Sequence, residues 1–439
     1  MSRFSSARLL LAALLGSCAG SGAADDRLLV GAAAVDVTPR VETFEDTNGN
    51  GRHDEGEPFQ DLNGDGRWTA TYMAGFGINR IALSVHDPLW ARAVVFEKAG
   101  RRVTLIACDL VGLLHGRILE LAAGIEGTVI VCSTHCHSGP DTVGLWGPLP
   151  MIPGVSEAYL ARLRAGIGEA ARRALASARP ALLTASEARV PGVCKDIRPP
   201  DIRNEVVSSL VARDAGGRAV AVLVNFAMHP EGMGSKNRQI SSDFPHYVRE
   251  AVERDFPGAV AVYTSGDLGG MQTPDLKEHT WEEIRRCGEA IAARVKESQA
   301  SAAVLEVPEL KVARAPVRFP LDNKRFIAGF KGGIFGKDSA GVVEPEGDGF
   351  VLCSEVVAVR LGGLAWVTVP GEALPEVGAE AAALLETPHR FVIGLGQDEI
   401  GYILPKGDFD PKKYEESMSL GPRTAPTLLD ALKPLLKGF

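Results

Sequence analysis

Two histidines one residue apart, His135 and His137, close the apolar run Gly127-Thr-Val-Ile-Val-Cys-Ser-Thr134 and precede Ser138-Gly139-Pro140. A buried strand that stops on two imidazoles and then turns sharply is a poor core element but a good metal holder. Four more apolar runs end on polar residues. One reaches His229-Pro230, a second Asp267, a third Glu372, and the last runs through Gln397-Asp398-Glu399 to Tyr402. In α/β folds ligands bind beyond the carboxyl ends of strands. Five such ends therefore predict one shared crevice. Two imidazoles and a carboxylate are a common hydrolytic zinc set, with an open position for water. Zinc lowers the pKa of that water to about 7 and polarises a bound carbonyl.

Each residue alone is weak evidence. A single strand-end histidine such as His229 is more often structural, and Gly371-Glu372 or Tyr402 alone says little. The joint pattern carries the metal reading. Other hydrolase signatures are missing. Gly139-Pro140 stand where a metallo-β-lactamase-type site needs Asp and His, and neither H-E-x-x-H nor G-x-S-x-G occurs.

The elements that must hold these residues follow from hydrophobic periodicity. Strands are predicted at Val103–Cys108, Thr128–Ser133, Val220–Phe226, Ala259–Tyr263 and Phe391–Gly394. Val356–Val369 reads as paired strands and 302–355 as added antiparallel ones. Ser156 to Arg179 is the clearest helix, capped by Ser156 and ended by Pro180. Further helices are expected at Leu113–Ala123, Asp243–Glu253, Thr280–Glu297 and Glu376–Leu385. Continuous apolar runs between amphipathic helices predict an α/β class, mixed β-sheets in the centre covered by helices. No internal repeat and no long low-complexity linker is read. Across 439 residues, 45% hydrophobic and 23% charged, the composition is globular with ample core. A net charge of −8 without a basic block argues against a nucleic-acid partner.

The N-terminus reads as an export signal. Arg3 and Arg8 flank Leu9–Leu15, an apolar stretch shorter than the roughly 20 residues a bilayer span needs. Gly22-Ala23-Ala24 offers ordinary cleavage, making 1–24 the signal peptide. Leu15-Gly16-Ser17-Cys18 offers a lipobox instead, making 1–17 a lipoprotein signal and anchoring the protein to membrane through acylated Cys18. Either predicts a periplasmic, outer-membrane or secreted protein. Export permits disulfides, but the spacing of the seven cysteines shows no dense framework. Cys108 and Cys132 read as buried thiols.

An Asp/Asn/Gly-rich insertion, 42–70, fits a calcium loop. Asp46, Asn48 and Asn50 take positions 1, 3 and 5, Arg52 offers its carbonyl, Asp54 takes position 9 and Glu57 position 12. A second start at Asp61, fifteen residues on, lacks the final Glu, with Tyr72 there instead. The spacing leaves no room for flanking helices, so a structural Ca2+ loop without an EF-hand pair is expected near the cleft mouth.

The chain resembles the catalytic domain of the neutral (non-lysosomal) ceramidases. The likeness rests on Ser133-Thr-His-Cys-His-Ser-Gly-Pro140, Asn225-Phe-Ala-Met-His229, Ser265-Gly-Asp-Leu268, Pro370-Gly-Glu372 and Gly401-Tyr402, and spans Val30 to Pro422. It implies a single catalytic domain, 27–439, that hydrolyses an N-acyl, ceramide-like lipid amide at one zinc ion. The implied ligands are His135, His229, Glu372 and Tyr402. His137 would then bind substrate or the attacking water, and Tyr414 would stabilise the oxyanion. Arg198 is the weaker match to a family arginine. Asp267 or His137 would move protons. Cys136 is expected to point away from the metal, since alternate strand residues face opposite sides. The family's serine two residues after the aspartate is Gly269 here, so no serine step is available at that position. Its C-terminal immunoglobulin-like domain has no counterpart in the sequence. The alternatives are a zinc hydrolase of an ester or lactone, and a catalytically inactive metal-stabilised surface binding protein.

Overall fold

The structure is a computed structural model that describes residues 27–336 and 342–439. The signal segment and Cys18 lie outside the described residues. No described helix is long and apolar enough to cross a membrane.

Two β-sheets stack at the centre. The first uses β1 (Leu29–Asp36), β2 (Trp90–Lys98), β3 (Arg101–Cys108), β4 (Thr128–Ser133), β5 (Arg179–Arg189), β6 (Val206–Asp214), β7 (Ala219–Phe226) and β8 (Val260–Ser265). Its order is β8-β7-β6-β5-β1-β2-β3-β4, with Val304–Leu305 added on β5. The β8–β7 and β3–β4 pairs are parallel and the others antiparallel. The second sheet uses β9 (Leu310–Pro320), β10 (Gly349–Leu361), β11 (Leu364–Thr368) and β12 (His389–Ile393), in that order, with Val343–Glu346 on β10.

Strand alternation explains the continuous apolar runs. Val94 and Phe96 of β2 face the second sheet, where Val357, Trp366 and Phe391 complete one core. Ala93 and Val95 face the other way, onto helix α1 (His115–Leu121) and helix α2 (Glu157–Ala176). Helices α3 (Phe244–Asp255) and α4 (Trp281–Gln299) cover β6–β8. Helix α5 (Lys324–Lys331) and helix α6 (Pro375–Ala383) lie against the second sheet, as does α8 (Thr424–Leu436), which follows the single turn α7 (Tyr414–Ser417). Strands buried on both faces have no polar side, which is why they read as unbroken runs.

Most expected elements occur, with two corrections. The predicted long helix stops at Ala176, because Arg179 and Pro180 already belong to β5, opposite Val30 and Leu29. Strands β2, β5 and β6 were not predicted. β5 mixes Ser186, Glu187 and Arg189 into its sequence and so hides its strand character.

The acidic insertion corrects the reading more deeply. It is a fifteen-residue tandem repeat, Glu42-Thr-Phe-Glu-Asp46-Thr-Asn-Gly-Asn-Gly-Arg52 against Glu57-Pro-Phe-Gln-Asp61-Leu-Asn-Gly-Asp-Gly-Arg67. Phe44 bridges Phe59, and the His53 and Trp68 rings stack with centroids 4.9 Å apart. Glu57 accepts the backbone N–H of Thr47 on one oxygen and of Asp54 on the other. Glu42 does the same for Leu62 and Thr69, the equivalent positions of the second loop. The glutamate missing from the end of the second loop is thus supplied from fifteen residues before the first, 57 − 42. The loops are a helix-free pair, each closed by its own glutamate. No residue of 42–70 lines the central cavity, so the insertion does not form its mouth.

Candidate metal centre

Hydrogen bonds stitch several of the polar run-ends together. Ser133 N–H donates to Leu395, Gly394 N–H to Ser265, and Ser265 Oγ to the Thr134 carbonyl. Glu372-Ala373 and Tyr402-Ile403 pair as a short parallel ladder. His135 itself has φ +65°, in the left-handed region that costs a non-glycine residue energy. That conformation turns both its ring and the His137 ring into the cavity.

The three histidines converge. Ligand-capable nitrogens of His135, His137 and His229 lie within 4.8 Å of one another, and all three side chains are buried. His135 Nδ1 donates to the Val111 carbonyl at 2.7 Å, and His229 Nδ1 to the Gln272 carbonyl at 3.2 Å. A carbonyl only accepts, so each Nδ1 carries the proton, and in the neutral imidazole each Nε2 presents a lone pair. Those lone pairs meet Glu372 Oε2 at 3.3 Å from His135 and 3.0 Å from His229. Three acceptors facing each other repel unless a cation lies between them. A tetrahedral ion with bonds of about 2.0–2.1 Å sets its ligands roughly 3.3 Å apart, so the spacing fits a metal. His135 Nε2 and both ring nitrogens of His137 are buried without a hydrogen-bond partner among the described residues. Burial drives the His137 imidazole far below the ordinary histidine value, so it is neutral.

An apolar cavity opens from this cluster. Val143, Leu145, Trp146, Phe326, Phe330 and Phe335 wall it, and Tyr402 and Tyr414 stand beside His135, His137 and Glu372. Buried Asp141 accepts backbone N–H groups from Val143, Gly144, Trp146 and Gly154, which fixes the loop bearing three of these wall residues. The Tyr402 and Tyr414 rings meet edge-on at 6.1 Å, and Tyr402 Oη lies 3.1 Å from Met271 Sδ.

The likeness of this fold to solved structures follows the geometry. The chain superposes on the neutral ceramidase of Pseudomonas aeruginosa with a TM-score of 0.71 at 19% identity, over 95% of this chain and 75% of that one. A ceramidase structure complexed with C2 gives 0.72 at 18% identity, over 94% and 75%. The fold is that of neutral ceramidase. No protein-family model and no curated protein sequence matches the chain.

Within the neutral-ceramidase fold, the predicted site residues divide. His135, His137, His229, Glu372, Tyr402 and Tyr414 gather at the cavity or its floor. Asp267 and Arg198 do not. The Asp267 carboxylate accepts from Asn204 Nδ2 at 2.7 Å and lines a separate cleft with Glu376. Arg198 is spent on Glu415, Glu416 and Asp408, so it holds α7 and Tyr414 rather than any ligand. Gly269 has a steric cause: a Cβ there would lie 2.1 Å from the Glu372 carbonyl oxygen. Cys136 does turn away, its Sγ on the Ser241 carbonyl, but the strand has already ended at Ser133, so alternation is not the reason.

Two carboxylates at the site were not predicted. Glu231 Oε2 lies 3.4 Å from His137 Nδ1. Glu399 lines the cavity and offers an oxygen within 4.8 Å of ligand atoms of His135 and Glu372. The available signal was position: Glu231 stands two residues after His229, and Glu399 lies in the polar tail that leads to Tyr402.

Proposed function

We propose that this protein is an exported zinc-dependent amidohydrolase that cleaves a lipid-like N-acyl amide. The observation that carries the reading is the convergence of His135, His229 and Glu372 at the base of an apolar-walled cavity. His135, His229, Glu372 and Tyr402 are the proposed ligands. Zinc held there supplies a Lewis acid and lowers the pKa of water to about 7.

The chain's own groups do the rest. The aromatic wall takes an acyl or alkyl chain and excludes water. Neutral His137 hydrogen-bonds the substrate or the attacking water, with Glu231 Oε2 3.4 Å from its Nδ1. Tyr414 Oη, at the exposed rim, donates to the developing oxyanion. The amide preference and the ceramide-like acyl part follow the resemblance and the fold. Export rests on residues 1–24 and is part of the same proposal.

The test is metal content together with fatty-acid release from a panel of N-acyl amides and matched esters. Stoichiometric zinc with faster amide cleavage is expected. Ester cleavage alone would move the assignment to an esterase. Zinc retained by the double variant His135→Ala/Glu372→Ala would remove the ligand assignment.

Calcium is proposed for Asp46, Asn48, Asn50, Arg52, Asp54 and Glu57. The support is the loop motif, in which Asp46 and Glu57 turn their carboxylates inward onto the loop's own N–H groups. A chelator added to calcium-loaded protein should lower the melting temperature, and Glu57→Gln should abolish that response. An unchanged melt would count against calcium.

A further inference from the structure

The metal cluster contains one more oxygen than the proposed ligand set uses. Glu399 Oε2 is buried and has no hydrogen-bond partner among the described residues. Its other oxygen accepts the Gly401 N–H at 3.0 Å, which fixes the carboxylate plane. The stem is confined as well. Gly112 presses against it so closely that a Cβ at that position would lie 2.6 Å from Glu399 Cγ. Gly112 thus closes one side of the stem, and a Glu399 carboxylate oxygen belongs to the same group as His135 and Glu372 ligand atoms.

A buried carboxylate with one idle oxygen beside a second carboxylate is costly unless a cation neutralises both. No arginine or lysine among the described residues does so. The histidines do not in their neutral form, in which the proton sits on Nδ1, toward the carbonyls. A divalent ion between Glu372 and Glu399 balances two negative charges with two positive ones and leaves Tyr402 as a neutral phenol.

We infer that Glu399 is a direct ligand of the metal at this centre. The inference rests on the metal reading above and adds a second carboxylate to its set. The ion would then sit among two imidazoles and two carboxylates, with the tyrosine as an added oxygen. A harder, oxygen-richer shell of this kind is less selective for zinc over other first-row divalent ions than a histidine-rich one.

The test compares wild type with Glu399→Gln, which keeps the shape, removes the charge and still donates a hydrogen bond. Zinc affinity is measured by chelator competition and the coordination number by X-ray absorption at the zinc edge. As a ligand, Glu399 should weaken binding on substitution beyond the roughly 10–100-fold cost of an outer-shell partner, with one light-atom neighbour lost. If the role were only that of a protonated acid bonded to Glu372, Gln would serve as well. Unchanged affinity and coordination number would then overturn the inference while leaving the metal centre intact. Should the variant fail to fold, a zinc-loaded wild-type crystal structure decides. Glu399 Oε2 should lie about 2.0–2.2 Å from the ion, and an oxygen outside bonding distance overturns the inference. Wild type that takes up no metal would overturn the underlying reading and Glu399 with it.

Discussion

At the scale of single residues, contact decides role more than residue type does. Gly269 shows this directly. Its Cα lies so near the Glu372 backbone that Gly269→Ser must displace the proposed ligand. That variant should lose metal and melt lower, as read by metal analysis and calorimetry, and should gain no nucleophile. A stable, metal-replete Gly269→Ser protein would contradict the steric account. Asp243 is a second case. It caps α3 with Oδ1 while Oδ2 is buried and unpartnered. Burial pushes its carboxyl from 3.8 to about 7. A raised carboxyl binds its proton more tightly in the folded state, so the penalty is absent below about pH 4 and complete above about pH 7. Asp243→Asn removes it. Denaturant titrations should show wild type falling behind the variant, by about a few kcal/mol, as pH rises through that window. A pH-independent difference would exclude this cause.

At the scale of elements, short pieces are held by buried charge. The α7 turn is too short to be stable alone, yet it carries Tyr414. Arg198 binds it through Glu415 and Glu416 and reaches Asp408 on the preceding loop. Removing the cation leaves two buried carboxylates without a counter-charge. Arg198→Ala should cost about 3–5 kcal/mol and raise KM, because Tyr414 loses its place. Arg198→Lys should recover only part, since a single ammonium cannot fork between two carboxylates. A variant with wild-type melting and KM would refute the role. The tandem loops depend on paired elements in the same way. Each is closed by a glutamate four residues before its partner's first aspartate, Glu57 before Asp61 and Glu42 before Asp46. That exchange is invisible while each loop is read as a self-contained motif.

At the scale of the whole molecule, stability comes from two stacked sheets with helices outside, and not from covalent ties. All six described cysteines are unpaired, and five are buried. A reducing agent should therefore leave the melting temperature unchanged, and a drop would reveal a disulfide. The same architecture explains how much was legible beforehand. Strands such as Thr128–Ser133 and Val260–Ser265 are buried on both faces, so their apolar runs stand out in the chain. β5 carries Ser186 against Ser209 and Ser298, and its polar contacts hid it. The sequence by itself determined which strand ends carry imidazole, carboxylate or phenol, because a buried run and its polar terminus are local properties. Only the tertiary structure decided which of those groups face one another. Asp267 and Arg198 stand outside the cavity lining, while Glu399 lines it and Glu231 stands beside His137. The direction of a side chain after a strand depends on backbone turns such as the left-handed His135, and on neighbours hundreds of residues away. Neither is written in local spacing.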